Sequence, residues 1–214
     1  MSNPPPVYVF SFWRGMQPAD AAAMFADAPF VWWIAGGHAI DLFLGRTTRE
    51  HEDLDVALFH DDHPAAFELI TRHGYELHAA DPPGTLRPWT NAGGAGGAAE
   101  RLSRSIHDIW CRRGPDQPWE FQLMLNPRAD DGSWVSRRDP SFVLPLSQAV
   151  RLSASGIPCL APEIQLHFKA KSMRPKDEAD FAAALPALSD SQRAWLRDAL
   201  RRTYPGHAWI DAIR

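Results

Sequence analysis

Two aspartates separated by one residue, Asp53 and Asp55, are the side chains in this sequence best suited to metal chemistry. They open a short β-compatible segment, and alternate residues of a strand share one face about 7 Å apart. Two neighbouring carboxylates repel each other, and a hard divalent cation such as Mg²⁺ removes that penalty. The pair therefore predicts a magnesium site. The simpler alternative is a solvated strand face.

Upstream of the aspartates, Gly36 and Gly37 stand between a bulky apolar run and a short helix-favouring stretch. Glycine lets a backbone come close to a phosphate, and the first turn of a helix offers free N–H groups and the positive end of its dipole. Arg46 and Arg49 follow, and guanidinium groups can hold phosphate oxygens by paired hydrogen bonds. We expect an anion to bind here, although both arginines could be ordinary surface charges.

The whole run GGHAIDLFLGRTTREHEDLDV, from Gly36 to Val56, resembles the signature of small-molecule nucleotidyltransferases of the polymerase-beta superfamily, particularly the aminoglycoside and lincosamide nucleotidyltransferases. These enzymes carry a Gly-Gly turn, an aspartate in the next helix and an Asp-x-Asp strand. The resemblance implies a mixed sheet and two Mg²⁺ ions held by Asp53 and Asp55. It also implies that ATP or another nucleoside triphosphate is the co-substrate.

The resemblance further implies a third metal-binding and catalytic carboxylate on a later strand. Glu120 is our choice, because it opens an alternating segment that places it on one face with Gln122 and Met124. Asp108, on the preceding strand, is the competitor. The family more often has aspartate at this position, so a glutamate would depart from its pattern.

The three lysines of the chain, Lys169, Lys171 and Lys176, lie close together near the C-terminal end. A lysine on its flexible stem can reach a triphosphate as a point charge. The surrounding segment also resembles the corresponding region of bacterial relatives of these enzymes, and we expect Lys169 or Lys171 to contact phosphate. The alternative is a solvated helix face on which the lysines pair with acidic neighbours.

The elements that must position these residues follow from periodicity and from turn signals. A hairpin is expected around the turn-forming Gly114-Pro115-Asp116, and the Pro- and Gly-rich segment 81–99 reads as a flexible connection. Ser189 and Gln192 have capping-box spacing at the start of the last long helix. The predicted strands are 31–35, 53–59, 75–78, 106–112 and 119–125, and the predicted helices are 18–26, 38–44, 64–73, 162–172, 176–185 and 189–203.

This order of elements predicts an α+β (α/β) fold, a nucleotidyltransferase-type mixed β-sheet flanked by helices with a helical C-terminal region. We divide the chain into a nucleotidyltransferase core, residues 1–128, and a mainly helical region, residues 129–214.

Composition narrows the class of protein. With 214 residues and 45% hydrophobic residues the chain can bury a real core, and a net charge of −4 gives no general attraction for nucleic acid. The two cysteines, Cys111 and Cys159, have no paired spacing, so no disulfide framework or zinc site is expected. With neither a signal-like start nor an apolar run of spanning length, the sequence predicts a cytoplasmic protein without a membrane segment.

The sequence therefore predicts an enzyme that transfers a nucleoside monophosphate, AMP from ATP, to a hydroxyl of a small molecule such as an aminoglycoside- or lincosamide-like antibiotic. One alternative is a toxin-like nucleotidyltransferase acting on tRNA, which would need a basic track beside the cleft. The other is a catalytically inactive nucleotide-binding module. Oligomeric state and acceptor are not encoded in any readable pattern.

Overall fold

The computed structural model describes residues 12–81, 85–92 and 97–213. The helices are α1 (Pro18–Met24), α2 (Gly36–Leu44), α3 (His63–Arg72), α4 (Leu146–Ala149), α5 (Pro162–Lys169), α6 (Pro175–Ala184), α7 (Asp190–Thr203) and α8 (Trp209–Ala212). The strands are β1 (Trp32–Ile34), β2 (Asp55–Phe59), β3 (Glu76–Asp81), β4 (Thr85–Trp89), β5 (Asp108–Arg112), β6 (Trp119–Asn126), β7 (Trp134–Val135), β8 (Val143–Leu144), β9 (Val150–Leu152) and β10 (Pro158–Leu160).

Eight of the strands form one mixed sheet in the order β4-β3-β5-β6-β2-β1-β10-β9. The β2–β6 and β1–β10 pairs are parallel, and the other neighbouring pairs are antiparallel. Strands β7 and β8 form a separate two-stranded sheet. The mixed sheet with its helices confirms the predicted α+β fold class.

Local sequence signals explain several elements. The predicted hairpin is present, with β5 and β6 antiparallel on either side of the Gly114 turn. Helix α2 ends at Gly45, whose φ of 66° is the left-handed conformation that glycine adopts without strain. Helix α7 begins with the expected capping box between Ser189 and Gln192.

Five strands, β4 and β7 to β10, were not predicted from sequence, and β2 is shorter than expected. It begins at Asp55, so Asp53 lies in the loop just before it. Part of the segment expected to be a flexible connection is strand β4, at the edge of the sheet. Pro88 has no backbone N–H to donate, and an edge strand tolerates it because one side of the strand has no neighbouring strand to bond. Residues 82–84 and 93–96 of that segment lie outside the described residues.

The large sheet also draws on the chain beyond residue 128, because β9 and β10 belong to it and β10 pairs with β1. Its apolar faces form the main core. A second core joins the C-terminal helices to α2 through Ile40, Leu166, Phe181 and Leu196. A boundary at residue 128 would therefore cut through one continuous sheet. None of the helices in the described residues combines the length and apolar character needed to cross a bilayer.

Candidate functional site

A cavity of about 320 Å³ opens where β1, β2 and β6 meet the starts of α2 and α6 and the end of α5. Five of the residues predicted from the signature line it, together with one of the predicted lysines: Gly36, Gly37, Arg49, Asp53, Asp55 and Lys169. The structure therefore gathers the residues on which the sequence argument depends into one place.

Asp53 and Asp55 present their carboxylates to this cavity, while Leu54 between them is fully buried on the opposite side. Asp55 is paired in register with Gln122 on β6, whose amide nitrogen donates a hydrogen bond to the Asp55 Oδ1. Removal from water, and then the charge of Asp53, raise the pKa of Asp55 to about 6. The two carboxylates therefore lie close together although their negative charges repel each other.

Gly36 and Gly37 occupy positions at which a side chain would crowd its neighbours. Gly36 has a φ of 67°, and a Cβ on it would collide with the Asp55 carboxylate. A Cβ on Gly37 would collide with the Arg49 guanidinium and the His51 ring. The two glycines bring the start of α2 directly against Asp55, and the first-turn N–H groups of the helix have no acceptor within the helix itself.

Helix α5 is fixed to this turn by a hydrogen bond of 2.8 Å from the Gly36 N–H to Gln165 Oε1. Since β10 pairs in parallel with β1 and leads straight into α5, the two strand–helix units lie side by side. One face of α5 therefore lines the cavity with Gln165, Phe168 and Lys169.

A buried network of charges forms the wall next to α6. The Asp180 carboxylate accepts two hydrogen bonds from Arg49, of 2.8 and 3.0 Å, and an ion pair of 2.7 Å from Lys169. Burial alone would raise the pKa of Asp180, but hydrogen bonds from Arg49 and Lys169 hold it below its ordinary value. Asp177 extends the network, 3.4 Å from Lys169 and 2.8 Å from Arg174. The lysine that sequence placed on phosphate is thus already paired with protein carboxylates.

Asp41 fastens the loop that carries Arg49 and Asp53 to helix α2. Its Oδ1 accepts hydrogen bonds from the Thr48 N–H at 3.0 Å and the Thr48 hydroxyl at 2.6 Å, and its Oδ2 lies 2.6 Å from His51 Nε2. The signature aspartate in the helix therefore acts through the loop and does not enter the cavity.

Three of the predicted residues lie away from this cavity. Arg46 lines a second depression beside His38 and Asp41, and Lys171 is exposed to solvent. The Glu120 carboxylate accepts a hydrogen bond of 2.6 Å from the Tyr75 hydroxyl and lines a third depression. The competitor Asp108 is 3.8 Å from Arg137 and does not line the cavity either.

Sequence reasoning missed several residues that do line the cavity. Gln122 shares a strand face with Glu120, and the alternation that suggested Glu120 could have found it. Asp177 and Asp180 behind the wall are spaced three apart on α6, which is a signal for two side chains on one helix face. The other missed lining residues with charged side chains are Arg137, Arg138, Arg174 and Lys176.

Comparison with known proteins bears on this geometry. Residues 19–85 match the family model of aminoglycoside-2''-adenylyltransferase. No curated protein sequence matches the chain.

Three solved structures share the fold at 16% sequence identity. The solution structure of the antibiotic-resistance factor ANT(2'')-Ia covers 87% of this chain and 90% of its own, with a TM-score of 0.57. The crystal structure of lincomycin-bound lincosamide adenylyltransferase LnuA aligns with 77% of this chain over 92% of its own length, with a TM-score of 0.52. The crystal structure of ANT(2'')-Ia in complex with adenylyl-2''-tobramycin aligns with 84% of this chain over 92% of its own length, with a TM-score of 0.51.

These findings confirm the resemblance drawn from the signature segment. The chain has the nucleotidyltransferase fold and resembles the aminoglycoside and lincosamide adenylyltransferases. Nucleotidyltransferase is the enzyme class that the family match and the neighbours support.

Proposed function

We propose that this protein is a metal-dependent nucleotidyltransferase that transfers AMP from ATP to a hydroxyl of a small molecule. The observation that carries the proposal is the position of Asp53 and Asp55 in one cavity with the Gly36-Gly37 turn. Carboxylates for a hard cation and a backbone cradle for phosphate are the two parts that this reaction needs.

Asp53 and Asp55 fit a divalent cation. The two carboxylates repel each other, and the pKa of Asp55 is raised. A bound cation would neutralise this negative charge. Magnesium in nucleotide sites is held by one or two carboxylates together with substrate phosphates, which is the donor set available here. Bound Mg²⁺ would supply charge neutralisation of the triphosphate and polarisation of the phosphorus.

Glu120, the expected third ligand, is not part of the proposed set. Its carboxylate is held by Tyr75 and by Arg113, whose Nε is 3.5 Å away, in a depression of its own. A second Mg²⁺ ion would therefore have to share Asp53 and Asp55. Gln122 occupies the position beside Asp55 with a neutral amide.

The chain's own groups would bind and orient the triphosphate. The Gly36 N–H already donates to Gln165, and the following N–H groups in the first turn of α2 would bind phosphate oxygens. Arg174 and Lys176 line the cavity as additional cations. Asp180 holds Arg49 and Lys169 in fixed positions, so their side chains need no ordering when an anion arrives. In this arrangement the acceptor hydroxyl oxygen attacks the α-phosphorus, and a new P–O bond forms as the bond from the α-phosphorus to the bridging oxygen of the β-phosphate breaks. Pyrophosphate leaves, and the hydroxyl proton is released to solvent.

One specific observation favours a second candidate, a nucleotide-binding module without turnover. Within the described residues, the cavity contains two carboxylates, and neither of the sequence candidates for a third reaches it. Such a module would keep nucleotide binding and lose transfer. The cytoplasmic location expected from sequence is compatible with either function.

Calorimetric titration with α,β-methylene-ATP and Mg²⁺ tests binding, and mass spectrometry of acceptors incubated with ATP tests transfer. We expect Mg²⁺-dependent binding that Asp53→Asn and Asp55→Asn each weaken at least tenfold. The control Asp198→Asn, whose side chain is 68% exposed on α7, should bind like the wild type. Metal-independent binding that both variants retain would refute the site, and binding without transfer to any acceptor would favour the module.

A further inference from the structure

Two histidines and an aspartate meet at the wall of the second depression. His38 and Asp41 lie on helix α2, and His51 lies in the loop that follows it. One nitrogen of each histidine and one oxygen of Asp41 all lie within 4.8 Å of one another. In the described part of the chain, no other group of three histidine, cysteine or acidic side chains is gathered as tightly. The residues outside the described ranges include none of these types, so they add no ligand.

The two carboxylate oxygens of Asp41 have different partners. Oδ1 accepts both hydrogen bonds from Thr48 and is held in place by them. Oδ2 lies 2.6 Å from His51 Nε2, and these two atoms share one hydrogen. In metal sites a ligating carboxylate is itself oriented by hydrogen bonds, which Thr48 provides here. A cation could therefore take the place of the shared hydrogen while the contacts with Thr48 remain.

His38 is the third member of the group. Its ring lies against the His51 ring, with 4.1 Å between the centroids, and no hydrogen bond joins it to another described residue. His38 is 8% exposed, and it lines the second depression, which has a volume of about 580 Å³. An ion can therefore reach the His38 ring from solvent without displacing a protein partner.

These donors suit a divalent transition-metal ion better than they suit magnesium. Zn²⁺ is bound by imidazole nitrogen at about 2.0–2.1 Å and by carboxylate oxygen at about 2.0–2.2 Å, so tetrahedral ligand atoms are about 3.4 Å apart. That spacing falls between the 2.6 Å of the Asp41–His51 pair and the 4.8 Å limit of the group. Mg²⁺ prefers oxygen ligands, which Asp53 and Asp55 supply. The two groups therefore differ in the metal that they select.

We infer that His38, Asp41 and His51 form a binding site for a divalent transition-metal ion of the zinc type, separate from the proposed magnesium pair. Three protein ligands leave the fourth tetrahedral position open to the second depression, where a water molecule can bind. The ion would link helix α2 to the loop that carries Arg49 and Asp53. It would stabilise this loop without taking part in nucleotide transfer, so the inference does not depend on the proposed function.

Calorimetric titration of the untagged full-length protein with Zn²⁺, in excess Mg²⁺ and without nucleotide, tests the inference. We expect one tightly bound Zn²⁺ per chain, with a Kd of about 10 μM or below, and a higher melting temperature in its presence. X-ray absorption at the zinc edge should show ligands at about 2.0–2.2 Å with the scattering pattern of imidazole. Absence of binding, or bound zinc without imidazole ligands, would overturn the inference.

Histidine variants test the ligands one by one. His38→Phe keeps an aromatic ring against His51 and removes the ligating nitrogen, so it should weaken zinc binding at least about tenfold. His51→Gln, which can still donate a hydrogen bond to Asp41, should do the same and serves if His38→Phe does not fold. The control His73→Gln removes an exposed histidine at the end of α3 and should leave the Kd within about twofold. Zinc binding that both ligand variants retain would overturn the inference.

Asp55→Asn distinguishes the two metal sites. It removes a carboxylate of the proposed magnesium pair and should leave the zinc Kd within about twofold. If Asp55→Asn and His38→Phe weaken zinc binding equally, the ion lies in the cavity of Asp53 and Asp55, and the inference is overturned. Failure of Mg²⁺-dependent nucleotide binding would refute the proposed function and leave the zinc site standing.

Discussion

Asp55→Asn removes a carboxylate that burial and the charge of Asp53 make costly to ionise. The pKa of Asp55 is raised from 3.8 to about 6 in the folded protein. At about 1.36 kcal/mol for each pH unit, this difference corresponds to roughly 3 kcal/mol. Because the folded pKa lies above the unfolded one, the folded protein is destabilised as pH rises. The penalty is absent below about pH 4, grows between about pH 4 and 6, and is complete above that range.

Asparagine carries no charge and can still accept the hydrogen bond from Gln122. At pH 8 in metal-free buffer, we therefore expect Asp55→Asn to unfold at a higher temperature than the wild type. The gain of up to about 3 kcal/mol corresponds to roughly 6–12 °C for a chain of this size. At pH 4 the two proteins should unfold within about 1 kcal/mol of each other. Differential scanning calorimetry at both pH values measures this difference.

The control Asp198→Asn should show no such dependence on pH, because the Asp198 side chain is 68% exposed on α7 and lies away from the cavity. Mg²⁺ with α,β-methylene-ATP should then raise the melting temperature of the wild type and leave Asp55→Asn unchanged. The reasoning is refuted if Asp55→Asn is less stable than the wild type at pH 8. It is equally refuted if the difference between the two proteins is the same at both pH values.

Three further changes probe other parts of the site. Gly36→Ala should lower stability by about 1–2 kcal/mol and abolish nucleotide binding, because its Cβ meets Asp55, whereas Gly156→Ala, with a φ of 78° in open space, should bear only the backbone strain and bind normally; urea unfolding and calorimetric titration compare them. Asp180→Asn should cost about 3 kcal/mol by leaving Arg49 and Lys169 without a full counter-charge, against less than about 0.5 kcal/mol for Asp198→Asn; denaturant midpoints give both values, and equal losses would contradict the role of the buried network. Glu120→Gln and Asp108→Asn should each leave the Mg²⁺-dependent nucleotide Kd within about twofold, and a loss of tenfold or more in either would identify that residue as a metal ligand after all.

Features determined by neighbouring residues could be predicted from the sequence. The β5–β6 hairpin depends on a turn whose Gly-Pro-Asp composition is local, and the start of α7 depends on a cap between two residues three positions apart. The Gly36-Gly37 turn and the Asp53/Asp55 pair lie within one short segment. Each of these was found because its signal does not depend on distant parts of the chain.

Features determined by distant partners could not be predicted. Strand β10 has three residues, and its pairing with β1 joins Cys159 to Ile34 across most of the chain. The sequence does not show that Lys169 has an ion-pair partner, because that partner, Asp180, is on the next helix. Only the packing of α5 against α6 brings the two side chains together. For Glu120 the alternation gave the correct strand, but the register of β6 against β2 sets Gln122 beside Asp55 instead.

The parallel pairing of β1 with β10 has a consequence for how the glycine turn and Lys169 stay aligned. Each strand runs directly into a helix that carries part of the site, the glycine turn on α2 and Lys169 on α5. A slip of one residue between these strands would translate α5 by about 3.3 Å and turn every β10 side chain to the opposite face. The backbone hydrogen bonds between β1 and β10 therefore hold the glycine turn and Lys169 in position relative to each other. A mutation that shortens or lengthens the loop before β10 would therefore displace Lys169 relative to the glycine turn without replacing any residue of the site.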